Sequence, residues 1–95
     1  MKYKISHEAK RDIENIWLYT LNEWSIQAAD RYVRSIMDEI LYVADHPNSG
    51  TDCSEIRQGY YKARVQSHFI FYRFNNDTIE VVRVLHQQRD IPRHL

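Results

Sequence analysis

The spacing of apolar residues changes at Pro47, and this change limits the possible folds more than any other feature. Before Pro47 apolar residues recur mostly every three or four positions, the helical period. After it they alternate, the strand period. The first segment, Lys2 to Ile5, also alternates and is too short to stand alone, so it is expected as an edge or lone strand. Ser6 is a suitable N-cap, and Glu8 puts negative charge in the first turn, where the helix dipole favours it. Ala9, Ile13, Ile16, Trp17, Leu21 and Trp24 then form one stripe on a helix of about seventeen residues. Both tryptophans belong to this stripe and are expected in the core. A break at Asn22–Ser25 lets Ser25 cap a second helix, whose stripe is Ala29, Val33, Ile36, Ile40 and Val43. That helix must end by His46, because the ring of Pro47 disfavours helical backbone in the residue before it. So short a connection makes the two helices an antiparallel hairpin.

Pro47-Asn48-Ser49-Gly50-Thr51-Asp52 is turn chemistry. In the next strand Tyr61, Ala63 and Val65 alternate with Tyr60, Lys62 and Arg64. His68 to Phe74 is apolar on both faces apart from His68 and Arg73, the pattern of a central strand covered on both sides. Asn75-Asn76-Asp77 suits a tight hairpin, and Thr78 to Leu85 is the last strand. The order β-α-α-β-β-β gives a single α+β domain over residues 1–95: an antiparallel sheet with the helical hairpin packed on one face. The opposite face is expected to be free for a partner. Arg89 to Leu95 lie beyond the last strand, and their removal is expected to abolish activity while partner binding is largely kept.

Several chemistries are excluded. Cys53 is the only cysteine, so no internal disulfide forms, and it reads as a bystander in a polar loop. There is no glycine-rich phosphate loop and no His or Cys pair at zinc spacing. Ser67 and His68 are adjacent on a strand and point to opposite faces. No metal and no cofactor is expected. No apolar run approaches the ~20 residues of a membrane span and no signal peptide is visible, so a cytoplasmic protein with no membrane partner is expected.

The net charge of zero hides an asymmetry. Residues 1–55 carry six Lys/Arg against ten Asp/Glu, and residues 56–95 carry seven against three. The basic half concentrates its charge on Lys62, Arg64, Arg73 and Arg83, followed by His86, Arg89 and Arg93. Arg73 and Arg83 interrupt apolar strands, where an unpaired cation is costly. Two readings stay open. One is a salt bridge, for instance from Arg83 or Arg89 to Asp90 or a helix carboxylate. The other is contact with phosphate or with a partner's acidic groups. His86 is either a general acid or base or a hydrogen-bonded structural residue.

These residues resemble a known family. Ala9-x-x-Asp12 with Tyr19, the loop Pro47-Asn48-Ser49-Gly50, the run His68 to Arg73, and Arg83-Val84-Leu85-His86-x-x-Arg89-Asp90 together are similar to the ParE toxins of the RelE/ParE superfamily, over essentially the whole chain. The resemblance implies a bacterial type II toxin of the kind involved in plasmid stabilisation and growth inhibition. It implies a cognate antitoxin that wraps the toxin in a tight hetero-oligomer, and DNA gyrase as the target. It implies no specific DNA binding by the toxin alone. The RelE branch instead cuts mRNA on the ribosome without metal, and Arg64, Arg73, Arg83 and His86 are the residues that would serve. That branch relies on a dense lysine cluster, and Lys62 is the only lysine after Lys10. Gyrase inhibition by a non-catalytic binder is therefore the expectation. Antitoxin contacts are assigned to Tyr60, Lys62, Arg64, Arg73 and Arg83, and target contacts to His86, Arg89, Asp90 and Arg93.

Overall fold

Two serine caps and one proline set the helical half. In the computed structural model, which describes residues 1–95, helix α1 spans His7–Glu23 and α2 spans Ile26–Asp45. Ser6 Oγ accepts the Ala9 amide and Ser25 Oγ the Ala28 amide, each at 3.0 Å. Each bond satisfies a first-turn N–H that has no partner within its helix. His46 is the C-cap of α2, directly before Pro47 as the steric argument requires.

The strand half contains β3 (Tyr61–Val65), β4 (His68–Phe74) and β5 (Thr78–His86), paired as an antiparallel meander. Two short strands extend it at the rims, giving the order β1-β5-β4-β3-β2. Strand β1 (Lys2–Ile5) lies parallel to β5, and β2 (Thr51–Asp52) pairs with Tyr61 and Lys62. The α+β architecture matches the expectation. The parallel edge and the two-residue β2 are additions that only tertiary pairing specifies. One core lies between the helices and the sheet. Ala9, Ile36, Ile40, Val43 and Ala44 pack there against Ala63, Val65, Ile70, Tyr72, Ile79, Val81 and Val84.

The opposite face differs from the expectation of a free surface. Cys53, Tyr60, Phe71 and Leu85 form a second buried cluster, with Phe69, Val82, Ile91 and Leu95 packed on it. The cause is β4 itself. A strand apolar on both faces exposes Phe69 and Phe71 unless something covers them. The loop from Cys53 to Tyr60 and the short helix α3 (Ile91–His94) cover part of that face. The tail is tied down by Arg57 Nη1, which donates to Leu95 O at 2.9 Å, and by Arg83 Nη1, which donates to His94 O at 3.1 Å. Residues 91–95 are therefore part of the fold and not a dispensable extension. Cys53 is buried, 5% exposed, and is a core residue rather than a loop bystander.

The tryptophans separate. Trp17 is half-buried, and its indole Nε1 donates to Asp30 Oδ1 at 2.9 Å. Trp24 is 78% exposed. It is the C-cap of α1 with φ −130° and ψ −87°, so the backbone has already left the helix and takes Trp24 off the stripe.

Candidate functional site

A bulge in β5 sets the site's geometry. Tyr72 pairs with Val81 but Phe71 pairs with Arg83, which leaves Val82 as an extra residue. Such bulges re-aim side chains, and Arg83 reaches the rim of the sheet, where α1 passes. Its Nε donates to Asp12 Oδ2 at 2.8 Å and its Nη2 to Asp12 Oδ1 at 2.9 Å. Asp12 Oδ2 also accepts the Val84 amide at 2.9 Å. Strand β1 covers β5 only as far as Val81, so the Asp12 carboxylate satisfies an amide on the stretch of β5 that no strand covers. Hydrogen bonding to Asp12 favours the charged guanidinium, against the opposing effect of desolvation. Of the two readings of Arg83, the salt bridge to a helix carboxylate is the one observed.

The remaining basic residues do not converge. Lys62 and Arg64 share the face opposite the helices, where Lys62 Nζ sits 4.5 Å and Arg64 Cζ 5.9 Å from the centre of the Phe69 ring. Arg64 Nε donates to Gln66 O at 2.9 Å and its Nη2 to Gln87 Oε1 at 2.8 Å. Arg73 stands at the far end of β4, bonded to Glu80 at 2.8 Å. Tyr60 is buried beneath Arg57 and Arg73, so its ring is structural and not an open contact surface. Beyond the sheet, Arg89, Asp90 and Arg93 are exposed. Arg89 bonds to no carboxylate, which removes the Arg89–Asp90 bridge from consideration.

His86 faces the helices, because it pairs across the ladder with His68, whose strand neighbours Ile70 and Tyr72 lie in the main core. The two imidazoles are edge-on with centres 5.2 Å apart. His68 Nδ1 lies 2.7 Å from Tyr32 Oη, which also receives the Ser67 amide at 3.3 Å. Burial, reinforced by the neighbouring His86, holds His68 down at about 4, with Asp12 acting the other way. His68 is thus neutral at physiological pH. Around this pair lies an open cleft of about 470 Å³, bounded by Asn15, Tyr19, Trp24, Tyr32 and Arg89 among others. The sequence reading missed both His68 and Asp12 as members of this region. For His68 the local signal is the alternation of β4, which places it on the same face as Ile70; for Asp12 it is the reading of Arg83 as paired with a helix carboxylate.

This geometry can be set beside known proteins. Residues 3–91 match the family model for the ParE toxin of the type II toxin–antitoxin system parDE. The chain belongs to the ParE toxin family. It is 41% identical to Toxin ParE1 of Mycobacterium tuberculosis, covering 99% of this chain and 97% of that one. It is 36% identical to Toxin ParE1 of Caulobacter vibrioides, covering 98% and 96%. Among solved structures, a chain of the chromosomal ParDE system from P. aeruginosa superposes with a TM-score of 0.80 at 16% identity, covering 90% of this chain and 95% of that chain. The YoeB/ParE toxin from Agrobacterium tumefaciens superposes at 0.66 with 22% identity, covering 90% and 98%. At those identities the superpositions establish the fold alone. Within this ParE fold, Asp12 and Arg83 tie the helical layer to the sheet rim, while Lys62, Arg64 and the Arg89–Arg93 segment remain accessible.

Proposed function

We propose that this ParE-family chain is a non-catalytic toxin that binds DNA gyrase, stops replication, and is held silent by a cognate antitoxin. The observation that carries this reading is the dispersal of the four residues an RNA-cleaving site would need. Arg64 lies on one face of the sheet and His86 on the other. Arg73 is bonded to Glu80 at the far end, and Arg83 is bound by Asp12. General acid–base catalysis needs its groups within hydrogen-bond reach of one reacting centre. A gyrase target also makes the cytoplasm the place of action.

The accessible cations divide the surface between two partners. Lys62, Arg64 and Arg73 lie on the sheet face and suit an acidic antitoxin segment. Tyr60 and Arg83 are withdrawn from that set because the fold itself uses them. Arg89, Asp90 and Arg93, beside His86, form the target-facing end. The test is a supercoiling assay with purified toxin and gyrase, paired with the order in which DNA and protein synthesis stop after induction. Loss of supercoiling, with DNA synthesis failing first and growth restored by co-expressed antitoxin, is expected. Discrete cuts in mRNA alongside unimpaired supercoiling would overturn the proposal in favour of a nuclease.

A further inference from the structure

The cleft between α1 and the rim of the sheet combines an aromatic wall with hydrogen-bond donors that the fold does not use. Its volume of about 470 Å³ lies in the range of sites that hold small molecules. Tyr19, Trp24 and Tyr32 supply aromatic lining, and Ile16 and Val84 supply aliphatic lining. Tyr19 is 66% and Trp24 78% exposed, so the core uses neither ring. Aromatic surface left open at a concave place marks a binding site more often than a packing fault. The charges are simpler than the residue types suggest. Asp12 and Arg89 are the only charged residues of the lining, and both oxygens of Asp12 are taken up by Arg83 and the Val84 amide. Arg89 has no carboxylate partner; its Nη2 reaches only His94 Nδ1, at 3.5 Å. His86 Nδ1 accepts the Gln88 amide at 3.1 Å, so the proton of the neutral ring sits on Nε2. A turn in which Arg89 N donates to His86 O at 2.9 Å keeps these two residues together.

We infer that this cleft binds a small planar aromatic carboxylate. Its ring lies against Trp24 and Tyr19, and its carboxylate meets the Nε2–H of His86 and the guanidinium of Arg89. The single unpaired charge of the lining suits a monoanion. A phosphate dianion would leave water with one charge uncompensated, which is costly. A neutral aromatic would leave the guanidinium without a partner and gain only the ring contact. His86 and Arg89 also belong to the end proposed to face the target, so a filled cleft competes with that contact. Binding of the small molecule is independent of the toxin reading, and the test reads binding alone.

The test titrates the full chain with 2-naphthoate and follows backbone amide shifts in NMR. The shifts should centre on Tyr19, Trp24, His86 and Arg89. The acid should bind about tenfold more tightly than 2-naphthamide, which keeps the ring and lacks the charge, and than cyclohexanecarboxylate, which keeps the charge and lacks the aromatic ring. Trp24→Ala, at an exposed position, should weaken 2-naphthoate about tenfold, and Arg89→Ala should remove the preference for the acid over the amide. Equal affinity for the acid and either control, shifts confined to the face of Lys62 and Arg64, or no saturation at millimolar 2-naphthoate would each overturn the inference. The three probes on the unaltered protein decide the matter even where a variant fails to fold.

Discussion

Asp12 does three things with one carboxylate. It pairs bidentately with Arg83, accepts the Val84 amide, and through Arg83 links α1 to the carbonyl of His94. The pair is mostly buried, with side-chain exposures of 20% and 13%. Removing one partner of such a pair strands the other charge, whereas replacing both with apolar groups is far milder. Asp12→Ala should therefore destabilise by roughly 2–3 kcal/mol, since partial exposure softens the full penalty. Asp12→Leu combined with Arg83→Met should lose less than the single change. Urea titrations of the three proteins compare these directly, and a double variant weaker than Asp12→Ala would contradict the argument. His68 gives a pH-dependent counterpart. Its ordinary value of 6.5 falls to about 4 in the fold. Between those values the unfolded chain holds a proton that the folded chain refuses. Its contribution is thus complete above pH 6.5 and declines as the pH drops towards 4. Because the ring is only half-buried, the loss is on the order of 1–2 kcal/mol. Melts at pH 7 and pH 5 should differ less for His68→Gln than for the unaltered protein.

The elements held to their sequence-based boundaries wherever local chemistry decided them. Ser6, Ser25 and Pro47 act within a few residues of themselves, and the 3.6 and 2.0 periods report which face is buried. What could not be read is what depends on distant parts of the chain. The β2 rung, the bulge at Val82 and the parallel β1 pairing leave no mark on spacing. The second cluster went unread because Cys53 and Tyr60 come from the loop before β3, Ile91 and Leu95 from the α3 tail, and the two meet only over β4. The loop before β2 is likewise pinned from afar. Tyr72 Oη donates to Pro47 O at 2.9 Å and accepts the Gly50 amide at 3.1 Å. A Cβ at Gly50 would meet the Tyr72 side chain and lie 2.9 Å from Lys62 O. Gly50→Ala should therefore lower stability by about 1–3 kcal/mol through overpacking, seen as a lower thermal midpoint. An unchanged midpoint would mean that the loop yields freely.

Two cores on one sheet make the tail a structural member of the molecule. Deleting Ile91–Leu95 uncovers Phe71 and Leu85 and frees both Arg57 and Arg83 from their carbonyl partners. Burial of two partly buried aliphatic side chains suggests a loss of about 2–3 kcal/mol. The shortened protein should melt at a lower temperature and bind a dye specific for exposed apolar surface. Loss of toxicity on truncation is consequently not by itself a sign of lost target contact. Arg89→Ala and Arg93→Ala, both at exposed positions, separate the two effects. They should leave the melting temperature within about the change that 0.5 kcal/mol produces while weakening the inhibition of gyrase proposed above. Inhibition unaltered by both would exclude this end as the target contact.

The parallel pairing of β1 with β5 has a consequence for how the protein is made. Ser6 Oγ donates to Val82 O at 2.8 Å across 76 residues of sequence, and β1 finds its neighbour only once β5 exists. On a ribosome β1 must wait for β5, made about 70 residues later, because domains close only when their long-range contacts can form. A chain cut short before β5 lacks the neighbour of β1, the Arg83 anchor and the tail cover together. Termination before β5 should therefore yield a protease-sensitive fragment rather than a partly active toxin, so the cell meets this fold only after β5 has been made.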